Sequence, residues 1–135
     1  TCSKNICLVF PIHPRTEKSL KHHGLWKDLC KIPQLIIASS LGYLDFMKLV
    51  KNAKVVITDS GGIQEETTFL QIPCITIREN TERPITITEG TNELLSLDHG
   101  LIEKKLTSIL NESINSSIPK LWDGKATHRI LEVLA

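Results

Sequence analysis

Four short apolar runs separated by stretches of helical length restrict the fold of this 135-residue chain more than any other feature. The runs are residues 6–12, 35–38, 55–58 and 74–77. A strand with one wet face alternates apolar and polar residues, whereas an unbroken apolar run marks a strand buried on both faces, as in a parallel sheet. The stretches between them, 17–23, 43–52 and 63–71, are predicted helices. In the second, Leu44, Met47 and Val50 recur at helical spacing beside a polar stripe of Asp45, Lys48 and Asn52, so one side should pack on the sheet. Strands alternating with helices build βαβ units, and right-handed crossovers then give a doubly wound α/β sheet.

The fourth run is followed by a polar stretch, 78–91, which contains Pro84 and Gly90 and reads as a working loop. A short edge strand is expected around Leu94 and Leu95. Asp98 is placed to cap a helix ending near Asn111, and a last helix should run from Thr127 to the end, after the turn at Trp122, Asp123 and Gly124. With no repeat or internal linker, residues 1–135 are expected to form one domain around one core.

Charge narrows the choice of partners. Sixteen basic and fifteen acidic side chains give a net charge of +1, too little to draw in nucleic acid or an anionic membrane, so any anion must be bound locally. Cys2, Cys7, Cys30 and Cys74 form no C-x-x-C pair and no cluster with histidine, which argues against a metal site. They are expected to be reduced core thiols, Cys7 and Cys74 lying inside apolar runs. No apolar run approaches the roughly 20 residues of a membrane span, and no signal peptide precedes the first strand, so the cytoplasm is the expected location. The start at Thr1 leads us to expect a processed or excised piece of a longer chain.

The chemistry concentrates where the third run ends and a helix begins, at Thr58-Asp59-Ser60-Gly61-Gly62-Ile63-Gln64-Glu65-Glu66. The first turn of a helix has unpaired N–H groups and a partial positive charge, and two glycines let a diphosphate approach the backbone. Ser60 can cap the helix and donate to a phosphate, and Arg83 is a candidate cationic partner. This turn, His13 and the 78–83 segment should lie beyond the carboxyl ends of the strands, where open α/β sheets bind ligands. A carboxylate one turn into the helix, at Glu65 or Glu66, can accept both hydroxyls of a ribose. The plainer alternative is a tight turn whose glutamates merely complement the helix dipole. The chain has neither a G-x-x-x-x-G-K-[ST] loop for ATP nor a G-x-G-x-x-G for a dinucleotide.

Four words occur in order: Phe10-Pro11-Ile12-His13-Pro14-Arg15-Thr16, Leu41-Gly42-Tyr43-Leu44-Asp45-Phe46, the 58–66 segment above, and Thr81-Glu82-Arg83-Pro84. Together with Trp122-Asp123-Gly124-Lys125-Ala126, Arg129 and Ile130, they resemble the C-terminal lobe of non-hydrolysing UDP-N-acetylglucosamine 2-epimerases over nearly the whole chain. The resemblance implies a Rossmann-like parallel sheet, the C-terminal half of a glycosyltransferase-B-like fold. It implies that Ser60, Gly61 and Gly62 hold the diphosphate, that Glu66 holds the ribose and that Arg83 lies near the phosphates. Leu41 and Phe46 match the segment around the uracil, and Gly42 would let the backbone approach it. His13 and Arg15 match a loop facing the cleft, and Gln64 lies within the diphosphate motif. For His13 a structural role at the strand end is an equal alternative.

The implied reaction is reversible inversion at C2 of UDP-N-acetylglucosamine, giving UDP-N-acetylmannosamine, through loss and readdition of UDP. It needs no cofactor or metal, and it implies surface polysaccharide synthesis, with a homodimer as the complete enzyme. The family's proton-transferring carboxylates come from an N-terminal lobe, so no catalytic residue is expected in this chain and the piece alone should be inactive. The Gly-His-Arg segment and first, central strand of the family's C-terminal lobe also have no counterpart here, so the sheet should contain a gap or pair differently. A sheet so interrupted exposes strand edges and implies marginal stability, oligomerisation or dependence on a companion segment. Two other readings stay open: a hydrolysing epimerase or UDP-sugar glycosyltransferase, and a non-catalytic remnant that binds UDP or a subunit. Against the former, hydrolysing relatives carry a serine-richer turn than Asp59-Ser60-Gly61-Gly62.

Overall fold

The structure is a computed structural model that describes residues 6–111 and 117–134; Cys2 and Ala135, the far end of the last expected helix, lie outside them. The chain divides into two compact units, Thr1–Lys48 and Leu49–Ala135.

The first unit begins with β1 (Leu8–Pro11), which pairs in parallel with β2 (Leu35–Ala38), Leu8 opposite Leu35 and Pro11 opposite Ala38. Between them run α1 (Pro14–His22) and the short α2 (Trp26–Leu29). Helix α1 starts at Pro14 because proline has no N–H to lose and its φ already suits a helix. His13 takes the N-cap position in extended conformation, and its Nδ1 accepts from the Arg15 N–H at 3.2 Å. A Glu17–Lys21 ion pair of 2.6 Å spans one turn of α1, and the Lys21 ammonium sits 4.8 Å from the centre of the Trp26 ring. Helix α3 (Tyr43–Lys51) follows β2 with Asp45 and Lys48 of the expected stripe exposed on it; Asn52, also exposed, lies one residue past its end.

Burial here is lighter than the apolar runs imply. Leu8, Val9 and Ile36 are each at least 40% exposed, and Leu44, read as packing, is 81% exposed. The expectation that β1 is buried on both faces is therefore corrected. An apolar run records what a strand is suited to touch, and in a two-stranded sheet there is too little structure to cover it. Cys7 and Cys30 are likewise exposed rather than core thiols.

The second unit holds β3 (Val56–Thr58), β4 (Cys74–Ile77) and β5 (Asn92–Leu95), all parallel in the order β3-β4-β5. β5 is at the edge, as expected, and β4 is central: Cys74, Ile75 and Thr76 are at most 1% exposed. Helices α4 (Gly61–Leu70) and α6 (His99–Asn111) join successive segments of this unit, and α7 (Ala126–Leu134) ends it. Asp98 caps α6 as expected, its Oδ1 accepting from the Leu101 N–H at 2.9 Å.

The 78–91 stretch is not wholly a loop, since it contains α5 (Ile85–Thr88). Pro84, at φ −58°, sets the helical path, and Gly90 allows the chain to leave it, because a Cβ there would lie 2.5 Å from the Thr86 carbonyl oxygen. Among the described residues the strands hydrogen-bond as two sheets rather than one, the interrupted pairing anticipated from the sequence.

Candidate functional site

The core of the second unit is largely polar. Gln64, Thr67, Thr68, Thr76 and Thr86 are fully buried, and Asn92 nearly so. Buried polar groups are tolerated where they bond to one another, and most of these do, in a directed chain. Thr76 Oγ1 donates to Asn92 Oδ1 at 2.6 Å, and Asn92 Nδ2 donates to Gln64 Oε1 and to Thr86 Oγ1, each at 3.2 Å. Thr86 Oγ1 donates to the Arg83 carbonyl at 2.7 Å, and Thr81 Oγ1 donates to Gln64 Oε1 at 2.6 Å. The Arg83 N–H closes the chain by donating to Thr81 Oγ1 at 3.0 Å. The segment carrying Arg83 is thus tied at both faces of its peptide to β5 and to the first half of α4.

The start of α4 lies against this segment. Ser60 occupies the N-cap position in extended conformation, but its hydroxyl makes no capping bond, contrary to the expected cap; its N–H donates instead to Thr58 Oγ1 at 3.0 Å. The first-turn donors of α4 therefore keep their capacity for an acceptor from outside. Gly62 is exposed, and a Cβ placed on it would meet nothing within 4 Å. Gly61 is half-buried; its Cβ position would lie 3.6 Å from Glu82 Oε2 and 3.9 Å from Arg78 Nη1. Neither glycine is enclosed in the interior.

Arg83 reaches α4 through Glu65, its Nε lying 3.1 Å from Glu65 Oε1. Both side chains are more than 40% exposed, so this pair orients the guanidinium more than it stabilises the fold. Glu66 is half-buried. Gln64, expected among the residues near the ligand, is at 0% exposure with its Oε1 occupied twice, so it supports the 81–83 segment from behind.

In the first unit, Leu41 and Gly42 are exposed at the start of α3, where the Phe46 N–H donates to the Gly42 carbonyl at 2.9 Å and the Phe46 side chain is half-buried. His13 and Arg15 are exposed at the start of α1. Of the expected residues, Ser60, Gly61, Gly62, Glu66, Arg83 and Gln64 belong to the second unit, and His13, Arg15, Leu41 and Phe46 to the first.

Sequence reasoning named Arg78 only as the start of the 78–83 segment beyond the strand ends and gave it no role of its own; the structure supplies the missing register. Thr58 and Thr76 are partners in the parallel β3–β4 register, so two residues further on Ser60 and Arg78 leave the sheet side by side. Thr81 was noticed only as the first residue of the Thr81-Glu82-Arg83-Pro84 word, and Asn92 had no signal, because an isolated asparagine reads as surface. Among the described residues no group of three or more histidine, cysteine, aspartate or glutamate side chains is arranged to hold a metal ion, and no helix is long and apolar enough to cross a membrane.

Comparison with known proteins places this geometry in a family. The Methanocaldococcus jannaschii UDP-N-acetylglucosamine 2-epimerase is 42% identical over 94% of the chain, which covers 34% of that relative. The Pseudomonas aeruginosa UDP-2,3-diacetamido-2,3-dideoxy-D-glucuronate 2-epimerase is 34% identical over 95% of the chain and 34% of its own length. The crystal structure of the M. jannaschii enzyme in complex with UDP-GlcNAc and UDP superposes with a TM-score of 0.83 at 41% identity, over 95% of this chain and 35% of that one. The α/β, glycosyltransferase-B-like fold class is thereby borne out, and the chain spans about a third of the length of these relatives. With the family model for UDP-N-acetylglucosamine 2-epimerase matching residues 1–135 throughout, the chain belongs to that family.

Proposed function

We propose that this chain is the UDP-binding lobe of an epimerase that interconverts UDP-N-acetylglucosamine and UDP-N-acetylmannosamine by eliminating UDP and adding it back. The observation that carries this reading is the uncapped, open start of α4 at Gly61 and Gly62, in a chain matched along its whole length by the epimerase family. The N–H groups of the first turn and the Ser60 hydroxyl would take the diphosphate, with Arg83 steered to it by Glu65 and by the Thr81–Gln64 bond. Glu66, one turn in, would accept from the ribose hydroxyls. Leu41 and Phe46 would flank the uracil, and His13 and Arg15 would face the cleft.

As the bond from the sugar to UDP breaks, negative charge grows on the departing diphosphate, and donors already aimed at it lower the barrier and retain UDP for readdition. The carboxylates that exchange the C2 proton would come from the remainder of the longer protein, so this chain alone binds without turnover. The complete enzyme would be a homodimer in the cytoplasm. Two relatives whose names share UDP and 2-epimerisation but differ in the sugar support the assignment of this lobe to the nucleotide rather than to the sugar.

Titration with UDP tests the reading: saturable binding in the micromolar to millimolar range is expected, and no binding at millimolar UDP would leave only a structural or interaction role. In the complete protein, reversible formation of UDP-N-acetylmannosamine is expected, and release of free N-acetylmannosamine with UDP would instead identify a hydrolysing enzyme.

A further inference from the structure

We infer that Arg78 is a second phosphate-binding cation of this site, held by Glu82 in the absence of nucleotide and transferred to the diphosphate when it binds; this rests on the nucleotide reading above. Arg78 leaves the carboxyl end of β4 beside the start of α4, with Nη1 3.9 Å from the Cβ position of Gly61. Glu82 Oε2 lies 3.6 Å from the same point. An anionic carboxylate therefore sits at the mouth of a helix that has no acidic residue in its own first turn, between its open backbone donors and a guanidinium. Those are the partners a phosphate oxygen would take, and a diphosphate carries more charge to satisfy them.

The contact holding Glu82 is suited to exchange. Arg78 Nη2 donates to Glu82 Oε1 at 3.3 Å, longer than the roughly 2.7–2.9 Å of a strong charge-assisted bond. The carboxylate is 66% exposed, so water receives it readily, whereas the guanidinium is 31% exposed and stays against the protein. Arg83 plays a different part, since its Nε is committed to Glu65 and only the end of its guanidinium is left for a ligand. Two arginines approaching from one segment suit a diphosphate, whose two groups can each take a planar, two-pronged donor. A monophosphate needs one of them. Arg78 would accordingly set the preference for UDP over UMP.

The test is calorimetric titration of the chain and of its Arg78→Ala, Arg78→Lys and Glu82→Gln variants with UDP and UMP, and with inorganic pyrophosphate as a probe lacking the nucleoside. Removing a charged hydrogen-bond donor should weaken UDP and pyrophosphate by roughly tenfold or more, and UMP by less than about threefold. Arg78→Lys should recover part of the loss, and Glu82→Gln should strengthen UDP binding by about two- to fivefold as its competing charge is removed. Absence of UDP binding by the unaltered chain would overturn the nucleotide reading and this inference together. If the unaltered chain binds UDP but Arg78→Ala binds it within twofold, or loses UDP and UMP equally, the site stands and the role of Arg78 is refuted. Should Arg78→Ala fail to fold, Glu82→Gln decides alone: unchanged or weakened UDP binding refutes the exchange.

Discussion

Substituting Gly62→Ala should stabilise the chain and cripple its binding of UDP, a pairing that separates a ligand seat from an ordinary tight turn. Gly62 lies in the first turn of α4, and a Cβ built there meets no heavy atom within 4 Å, so the methyl group displaces nothing in the free chain. Its φ is not in the left-handed region, so alanine can adopt the same backbone. Replacing glycine by alanine in a helix is worth about 0.5–1 kcal/mol through the lost freedom of the unfolded chain. For a chain of this length that corresponds to a rise of roughly 2–4 °C in melting temperature. The same methyl would stand where a phosphate oxygen must meet the backbone N–H. Losing one hydrogen bond to a charged group costs about 1.5–3 kcal/mol, a fall in affinity of roughly 10- to 100-fold. Thermal unfolding followed by circular dichroism and titration with UDP read the two quantities separately. Unchanged affinity in a folded Gly62→Ala chain would refute the placement of the diphosphate at this turn, and a fall in stability would refute the open space around it.

Other substitutions probe the supports behind the site. Gln64→Leu keeps the volume but removes the acceptor of the Thr81 hydroxyl and one of the two acceptors of the buried Asn92 amide, costing about 1–3 kcal/mol in urea denaturation; a change below about 0.5 kcal/mol would mean the network holds little. Gly90→Ala forces a methyl to within 2.6 Å of Thr68 and 2.5 Å of the Thr86 carbonyl, an overpacking expected to destabilise by about 1–3 kcal/mol, read by the same denaturation. Burial raises the pKa of the Cys74 thiol, against smaller opposing hydrogen bonds from Thr67 and Thr76, so peptide mapping after brief alkylation should find Cys7 and Cys30 modified and Cys74 spared. The Arg129 side chain, then the Lys125 N–H, hold the Asp123 carboxyl below its ordinary pKa of 3.8. A carboxylate whose folded pKa is depressed contributes stability above its unfolded pKa and loses it as pH falls through the folded one. The anchoring of α7 by Arg129 should therefore weaken only below about pH 3.8, and chemical shifts of Arg129 that move near neutral pH would contradict this.

How much of this was readable beforehand depended on whether a residue's role was set locally. β2 and β4 fall at the residues the apolar runs marked, and α4 begins two residues before its predicted start, because glycines at a helix entrance look like turn. The helix α5 was hidden for a related reason: Ile85-Thr86-Ile87-Thr88 is a run of β-branched residues of poor helix propensity, and the φ of Pro84, the Thr86–Arg83 side-chain bond and the backbone bonds to Pro84 and Ile85 fold it. Burial was the poorest inference. Leu8 and Val9 have the composition of a two-faced core strand, yet composition cannot tell how many strands will be present to cover them.

The candidate site divides along the same line. Gly61, Gly62 and Arg83 stood out as candidates because residue type suggests their chemistry: glycine would let an anion approach, and arginine would meet its charge. Gln64 could not be placed, since an amide suits a ligand and a core equally, and only the bonds from Thr81 and Asn92 decide that it faces inward. The consequence runs from core to chemistry. Each hydroxyl of Thr81 and Thr86 donates once and accepts once, so the network has one direction, and reversing any amide would leave two donors or two acceptors facing each other. Asn92, on the far strand of the sheet, thereby fixes the peptide that carries Arg83. The path of the segment that carries Arg83 is thus decided in the interior, by residues that a sequence presents as ordinary polar ones.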